Sequence, residues 1–195
     1  MRQIFLDTET TGIDPKQGHR MVEIACVECI NRRLTRNDQR FYLNPDREVD
    51  EGALRVHGLS NAFLADKPRF ADIAQPFLDY VGTDEIIIHN AAFDLGFINS
   101  ELQRWQTSLP PFEEGRHIID SLKLARSLNP GQKNSLDALC RRYDVDNSGR
   151  EYHGALLDAQ LLAEVYLLMT GGQATMSLGT DSPHFRQAGE LDMAS

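Results

Sequence analysis

The feature that most constrains how this chain can fold is a set of acids lodged beside its most apolar runs. Asp7 and Glu9 follow Ile4-Phe5-Leu6, Asp94 comes six residues after Ile86-Ile87-Ile88, and Asp158 lies in a stretch, residues 155–163, that holds no other acid. A carboxylate enters a protein interior only where something cationic meets it, because an unpaired buried charge is strongly unfavourable. The motifs that carry these acids are Asp7-Thr8-Glu9-Thr10-Thr11-Gly12, His89-Asn90-Ala91-Ala92-Phe93-Asp94 and His153-Gly154-Ala155-Leu156-Leu157-Asp158, and none contains a Lys or Arg. The expected counter-charge is therefore a divalent cation with hard oxygen ligands, Mg2+ or Mn2+. The fold must bring three distant segments to one point.

The apolar patterning indicates how. Residues 3–9 read as a first, central strand, and 21–31 as a second of near-alternating character. Residues 33–43 read as a third strand, joined to the second by a tight turn and so antiparallel to it. Helical segments are expected at 51–56, with His57 in the loop beyond, at 61–65 and at 70–81. Residues 85–89 form a short buried strand, and Asn90 is placed to cap the following helix. Phe93, Phe97, Ile98, Leu102 and Trp105 give that helix a core-facing stripe. A fifth strand at 117–120 leads to helices at 121–128 and 135–143, and a last, apolar helix spans about 155–170. Gly171-Gly172 is expected to stop it, leaving 173–195 as a polar, flexible tail. The fold class is α/β: a mixed five-stranded sheet, the second strand antiparallel, flanked by helices on both faces.

With 41% hydrophobic and 25% charged residues over 195 positions, the sequence suits one globular domain and a short appendage. No run approaches the ~18 apolar residues of a membrane span, so a soluble, unprocessed, cytoplasmic protein without a membrane partner is expected. A net charge of −9 counts against gripping long nucleic acid through a blanket of phosphate contacts. If nucleic acid is the substrate, only a few nucleotides are held. Cys26 and Cys29 form a CxxC, but with Cys140 they fall short of four zinc ligands, and in a strand they face opposite sides. They read as structural.

Asp7 and Glu9, two apart in a strand, project from one face and can reach one ion. Alone, such a pair often just ends a strand, but here a Thr-Thr-Gly turn follows, where backbone N–H groups can approach a ligand. Asp94, near a helix start, is on its own most often a dipole partner, yet it follows a strand's C-terminal end, where sheets of this kind place ligands. Asp158 has no solvated face to explain it. His153 precedes it by five residues, about 140° around a helix, so the two share no helical face. Gly154 instead places His153 in the turn entering the helix, as the group suited to general-base work near neutral pH. Four acids and one base fit two-metal hydrolysis of a phosphodiester.

Together these motifs resemble the DEDDh branch of the DnaQ-like 3′–5′ exonucleases, over residues 1 to about 172. Within it, Thr10-Thr11-Gly12, Val56-His57-Gly58, the His89 to Asp94 motif, Asn134-Ser135-Leu136-Asp137-Ala138-Leu139-Cys140 and Gly171-Gly172-Gln173 look like the proofreading ε subunits of bacterial DNA polymerase III. The resemblance implies a ribonuclease-H-like fold and release of nucleoside 5′-monophosphates from a single-stranded or frayed DNA 3′ end. It implies that Asp7, Glu9 and Asp158 hold one metal ion, that Asp7 and Asp94 serve a second, and that His153 deprotonates the attacking water. Thr10, His57, Asn90, Phe93 and Phe97 become candidates for holding the terminal nucleotide, alongside Asp7, Glu9 and Asp158. By periodicity Phe93 and Phe97 also read as core. The polymerase α subunit is an implied partner, although the segment by which family members attach to it is not recognisable before Ser195, so the chain is either truncated or attached differently. Gln173-Ala174-Thr175-Met176-Ser177-Leu178 resembles a sliding-clamp (β) motif, with Gln173, Met176 and Leu178 as contacts. An RNA 3′ exonuclease with the same five residues and a non-catalytic polymerase–clamp scaffold are the alternatives.

Overall fold

The computed structural model describes residues 1–177, with side chains described as far as Gly171. Strand β1 (Arg2–Thr10) lies at the centre, antiparallel to β2 (Met21–Ile30) on one side and parallel to β5 (Glu85–Ile88) on the other. Asn31 and Arg32 both take left-handed φ, 49° and 64°, and this two-residue reversal leads into β3 (Arg33–Leu34). The expected third strand is two strands. β3 and β4 (Gln39–Tyr42) pair with successive parts of the same edge of β2, making six strands rather than five. The ladder breaks because Arg36 takes a φ of 65° and the Asp38 carboxylate accepts from the Glu28 N–H at 3.3 Å, where a strand carbonyl would otherwise stand. β6 (Ile118–Asp120) adds parallel to β5, giving the order β3-β2-β1-β5-β6.

Alternation along the strands builds two cores. Ile4, Leu6, Ile24, Cys26, Ile86 and Ile88 face helices α3 (Phe70–Val81) and α4 (Ala91–Trp105). Phe5, Val27, Cys29 and Ile87 face α6 (Leu136–Arg142) and α7 (Ala155–Ser177). Cys26 and Cys29 accordingly lie on opposite faces, buried and free, and burial pushes the Cys26 thiol far above its usual range. Helices α1 (Glu51–His57) and α2 (Asn61–Leu64) pack beside the start of β2, and α5 (Ser121–Leu128) follows β6. No helix among the described residues is long and apolar enough to cross a membrane.

Three local expectations change. Asn90 does not cap α4: it adopts a left-handed φ of 65° without a side-chain bond. Asp120 takes that role, accepting from the N–H groups of Asn90 and Ala91 at 3.3 and 3.2 Å while also capping α5. His57 is the last residue of α1 rather than loop, since the helix runs on until Gly58 turns left-handed at φ 70°. Finally, α7 continues through Gly171-Gly172 to Ser177. Each glycine costs only about 1 kcal/mol of helix propensity, which disfavours helix without forbidding it. Gln173 and Met176 thus sit on helical backbone, and Leu178 lies outside the described residues.

Candidate active site

Asp7 and Glu9 occupy alternate positions at the C-terminal end of β1, facing the first turn of α7. That geometry brings ligand oxygens of Asp7, Glu9 and Asp158 within 4.8 Å of one another, although the three lie on two elements 150 residues apart. Glu9 and Asp158 are buried, and Asp7 keeps some exposed surface. Asp94 stands beside this group in the first turn of α4, buried, with Thr8 Oγ1 donating to its Oδ1 at 2.7 Å.

The acids crowd one another. Burial, with the charges of Asp158 and Glu23, pushes the Glu9 carboxyl up to about 9. Asp7 is held well above its ordinary value by burial and by Asp94 and Glu9. Burial drives Asp94 up to about 7 against the opposing hydrogen bond from Thr8. Asp158 Oδ1 is buried without a hydrogen-bond partner. An oxygen left bare at the meeting point of three hard donors, with the neighbouring Asp7, Glu9 and Asp94 carboxyls raised by burial, fits a divalent cation.

One cation is already present. Arg150, three residues before His153 and outside the motif, donates through Nη2 to Asp158 Oδ2 at 2.7 Å and to His153 Nδ1 at 2.7 Å. Its Nη1 reaches Asp137 of α6, and its side chain is only 7% exposed. The expectation that metal alone balances these acids is corrected on this point. The pairing leaves Asp158 Oδ1 free and makes His153 Nδ1 an acceptor. His153 itself stands on the turn before α7, half-exposed, 3.5 Å from Asp158 Oδ2, with its N–H bonded to the Val56 carbonyl at 2.9 Å. The five expected catalytic residues thus converge, with Asp94 behind the close trio.

Beside Glu9 opens a cleft of about 380 Å3, walled by Thr10, Ile13, Val56, His57 and Phe93 among others. Ile13 is 84% exposed, an apolar side chain with no core to enter. Gly12 at the floor admits no Cβ, which would fall 2.3 Å from the His19 ring. His57 has both ring nitrogens committed, accepting from Leu59 N–H at 3.0 Å and donating to the Thr10 carbonyl at 2.9 Å. It stays neutral, its pKa lowered by burial, and presents ring surface rather than a free donor. Phe97 is 1% exposed in the core behind Phe93, as its periodicity indicated, and so does not reach the cleft as a substrate contact. Asn90 is exposed at the end of β5 and is not among the lining residues.

The family model described as Exonuclease matches residues 4–166. DNA polymerase III subunit epsilon of Salmonella typhimurium is 53% identical over 193 residues, 97% of this chain and 79% of the relative. The Escherichia coli protein of that name is 51% identical over the same shares, and the Rickettsia felis one 52% over 89% of this chain and 76% of its own. The chain belongs to the ε-subunit family of exonucleases. As a member of that family it is a 3′–5′ exonuclease, and divalent ions serve such enzymes generally, in accord with the acid trio. Exonuclease X, solved in complex with 5′ overhanging duplex DNA, superposes with a TM-score of 0.70 at 28% identity, covering 88% of this chain and 93% of its own. E. coli exonuclease I, solved with a dA16 oligonucleotide, shares the fold at TM-score 0.77 and 19% identity, over 90% of this chain and 42% of its own.

Sequence reasoning missed Arg150, Ile13, Val56 and Glu23. Ile13, an apolar residue inside a Gly-x-Asp-Pro turn, carried a faint signal. Glu23 carried none, because its partner Ala155 lies far away in the chain, and Arg150 none, because an Arg in a polar loop gives no sign of which acid it meets.

Proposed function

We propose that this ε-family exonuclease releases nucleoside 5′-monophosphates from frayed DNA 3′ ends as the proofreading partner of the replicative polymerase, in the cytoplasm. The observation that carries the reading is the trio of acids with one bare buried oxygen, set at the lip of an apolar cleft. Asp7, Glu9 and Asp158 would hold one Mg2+ or Mn2+, and Asp7 with Asp94, directly or through water, a second. Bound there, the two ions supply charge neutralisation at the scissile phosphate and lower the pKa of the attacking water.

The protein's own groups do the rest. His153 accepts the proton of the attacking water. Its Nδ1 lone pair is turned to Arg150 in the present arrangement, so that contact must open first, which a half-exposed side chain on a glycine-bearing turn permits. Ile13, Val56 and Phe93 offer apolar faces to the terminal base, His57 closes the wall, and the Thr10 backbone lies at the sugar end. A cleft of this size takes one nucleotide, and a chain of net charge −9 adds little phosphate grip beyond it. Delivery of the 3′ end then falls to partners, the polymerase α subunit and, through Gln173, Met176 and Leu178, the β sliding clamp. For an extended clamp motif to form, the last turns of α7 must unwind, which Gly171 and Gly172 ease.

The test uses labelled primers with matched or mismatched 3′ ends, and an RNA strand of the same sequence, with Mn2+. Monophosphate should leave the mismatched DNA end fastest, because separating a paired terminus costs a few kcal/mol that a mismatch has partly removed. Equal rates on both ends would sink proofreading, and faster loss from RNA would favour an RNA 3′ exonuclease.

A further inference from the structure

Glu23 carries a buried charge that the reaction above leaves unused. It stands on β2 directly opposite Glu9 in the antiparallel ladder and is 1% exposed, yet it is not one of the close trio of acids. Its Oε2 accepts from the backbone N–H of Ala155, the first residue of α7, at 3.1 Å, and its Oε1 accepts from Arg40 Nε on β4 at 2.7 Å. The first turn of α7 starts from the Gly154 carbonyl, which takes the Asp158 N–H at 2.8 Å. Gly154 therefore occupies the cap position, where Ser, Thr, Asp or Asn would normally supply a side-chain acceptor for the free N–H groups of the helix start. Glycine has none to give.

We propose that Glu23 is a positioning residue for hydrolysis: a cap supplied from the sheet that fixes where α7 begins and so sets Asp158 over Asp7 and Glu9. The proposal rests on reading those three as metal ligands. The apolar contacts of Ala159, Leu162 and Ala163 hold α7 on the sheet but tolerate a small slide or rotation. A hydrogen bond to the helix's first N–H does not. Asp158 is one turn from that bond, and Glu9 is the residue across the ladder from its acceptor, so ligands on two elements are referenced to one carboxylate. The same anchor fixes the turn that carries His153. Arg40, on the open side, balances the charge and holds the second oxygen, so the carboxylate cannot rotate away.

Glu23→Gln and Glu23→Ala separate cap from charge, since Gln keeps an acceptor for Ala155 N–H without the charge and Ala removes both. Mn2+ affinity is read by calorimetry, and kcat and KM on a short single strand. Glu23→Ala should bind Mn2+ about tenfold more weakly and lose about 10- to 100-fold in kcat, the cost of a misplaced group, with KM within about threefold. Glu23→Gln should stay within about threefold of wild type in both. A Glu23→Gln protein as impaired as Glu23→Ala would replace the cap with a pure charge effect, and a Glu23→Ala protein with unchanged Mn2+ affinity and kcat would end the proposal. Should Glu23→Ala prove too unstable to purify, Glu23→Gln alone decides, since loss of Mn2+ affinity there is fatal. A wild-type chain that neither binds Mn2+ nor releases monophosphate would instead overturn the metal-site reading, leaving Glu23 as a cap of the fold.

Discussion

His153 and Asp158 share one guanidinium nitrogen of Arg150, and replacing His153 or Arg150 separates what each of them does. Replacing His153 by Ala would remove the proposed proton acceptor but no oxygen ligand. Turnover should fall by about 10²- to 10⁴-fold, with Mn2+ binding nearly unchanged by calorimetry. An unchanged rate would remove the residue from the mechanism. Arg150→Gln acts in the other direction. Both partners of the Arg150–Asp158 pair are 7% exposed, and removing one side of a buried pair costs about 3–5 kcal/mol, which for a chain of this size lowers Tm by roughly 6–20 °C. Metal-free Arg150→Gln should show that drop by scanning fluorimetry, and Mn2+ should raise its Tm more than it raises the wild type's, because an added cation replaces the missing one. A metal-free Tm equal to wild type would mean that Arg150 contributes nothing to holding Asp158. The five proposed catalytic residues were legible from their motifs taken together, although only Asp158 stood where its own neighbours offered no reason for it. Arg150 was not, because an Arg in a polar loop looks like any solvated Arg until its partners are located.

At the scale of elements, the site depends on how β1 ends. After Glu9 the ladder to β2 shifts register, and a Cβ at Gly12 would fall 2.3 Å from the His19 ring, which would have to move for any other residue. Thr11 Oγ1 holds that ring at 2.9 Å, and Gly12 and Ile13 of the same turn line the cleft. Gly12→Ala should therefore displace His19 and disturb the nucleotide cleft while sparing the acids. The expected outcome is a KM for short single strands raised about tenfold, a stability loss of about 1–3 kcal/mol from overpacking, and little change in Mn2+ affinity. A wild-type KM would show that the cleft does not hold the terminal nucleotide. Element boundaries were legible where periodicity was long, as in α3 at Phe70–Val81. The start of α4 at Ala91 was legible too, though its cap is the remote Asp120, and the boundary failed where a side chain replaced a ladder bond, as Asp38 does between β3 and β4.

Across the whole molecule, the crowded acids tie stability to pH and to metal. Glu9 and Asp94 keep protons in the fold at pH values where a free carboxyl has lost them. Their stabilising contribution is full below about pH 4, where the unfolded chain also binds those protons. It is lost as pH rises through about 7 for Asp94 and about 9 for Glu9. Metal-free protein in EDTA should thus lose Tm from pH 5 to pH 9, at up to about 1.4 kcal/mol per pH unit for each proton involved. Mn2+ should flatten or reverse the slope, because ligation needs the deprotonated acids. A metal-free Tm that rises over that range would show that the acids are not held protonated by their neighbours.

The sequence by itself determined the layered α/β fold and the antiparallel second strand, and singled out the five residues proposed for the chemistry, because alternation, helical periodicity and acids out of place are local patterns. Only the tertiary structure decided what surrounds them: the Arg150 cation on Asp158, the Glu23 carboxylate at the start of α7, and the Ile13 and Val56 walls of the cleft. Glu23 meets Ala155 from 132 residues away, and even Arg150, eight residues before Asp158, finds it only through the fold of a loop, because what a buried charge meets depends on which segments pack together, which no local pattern records.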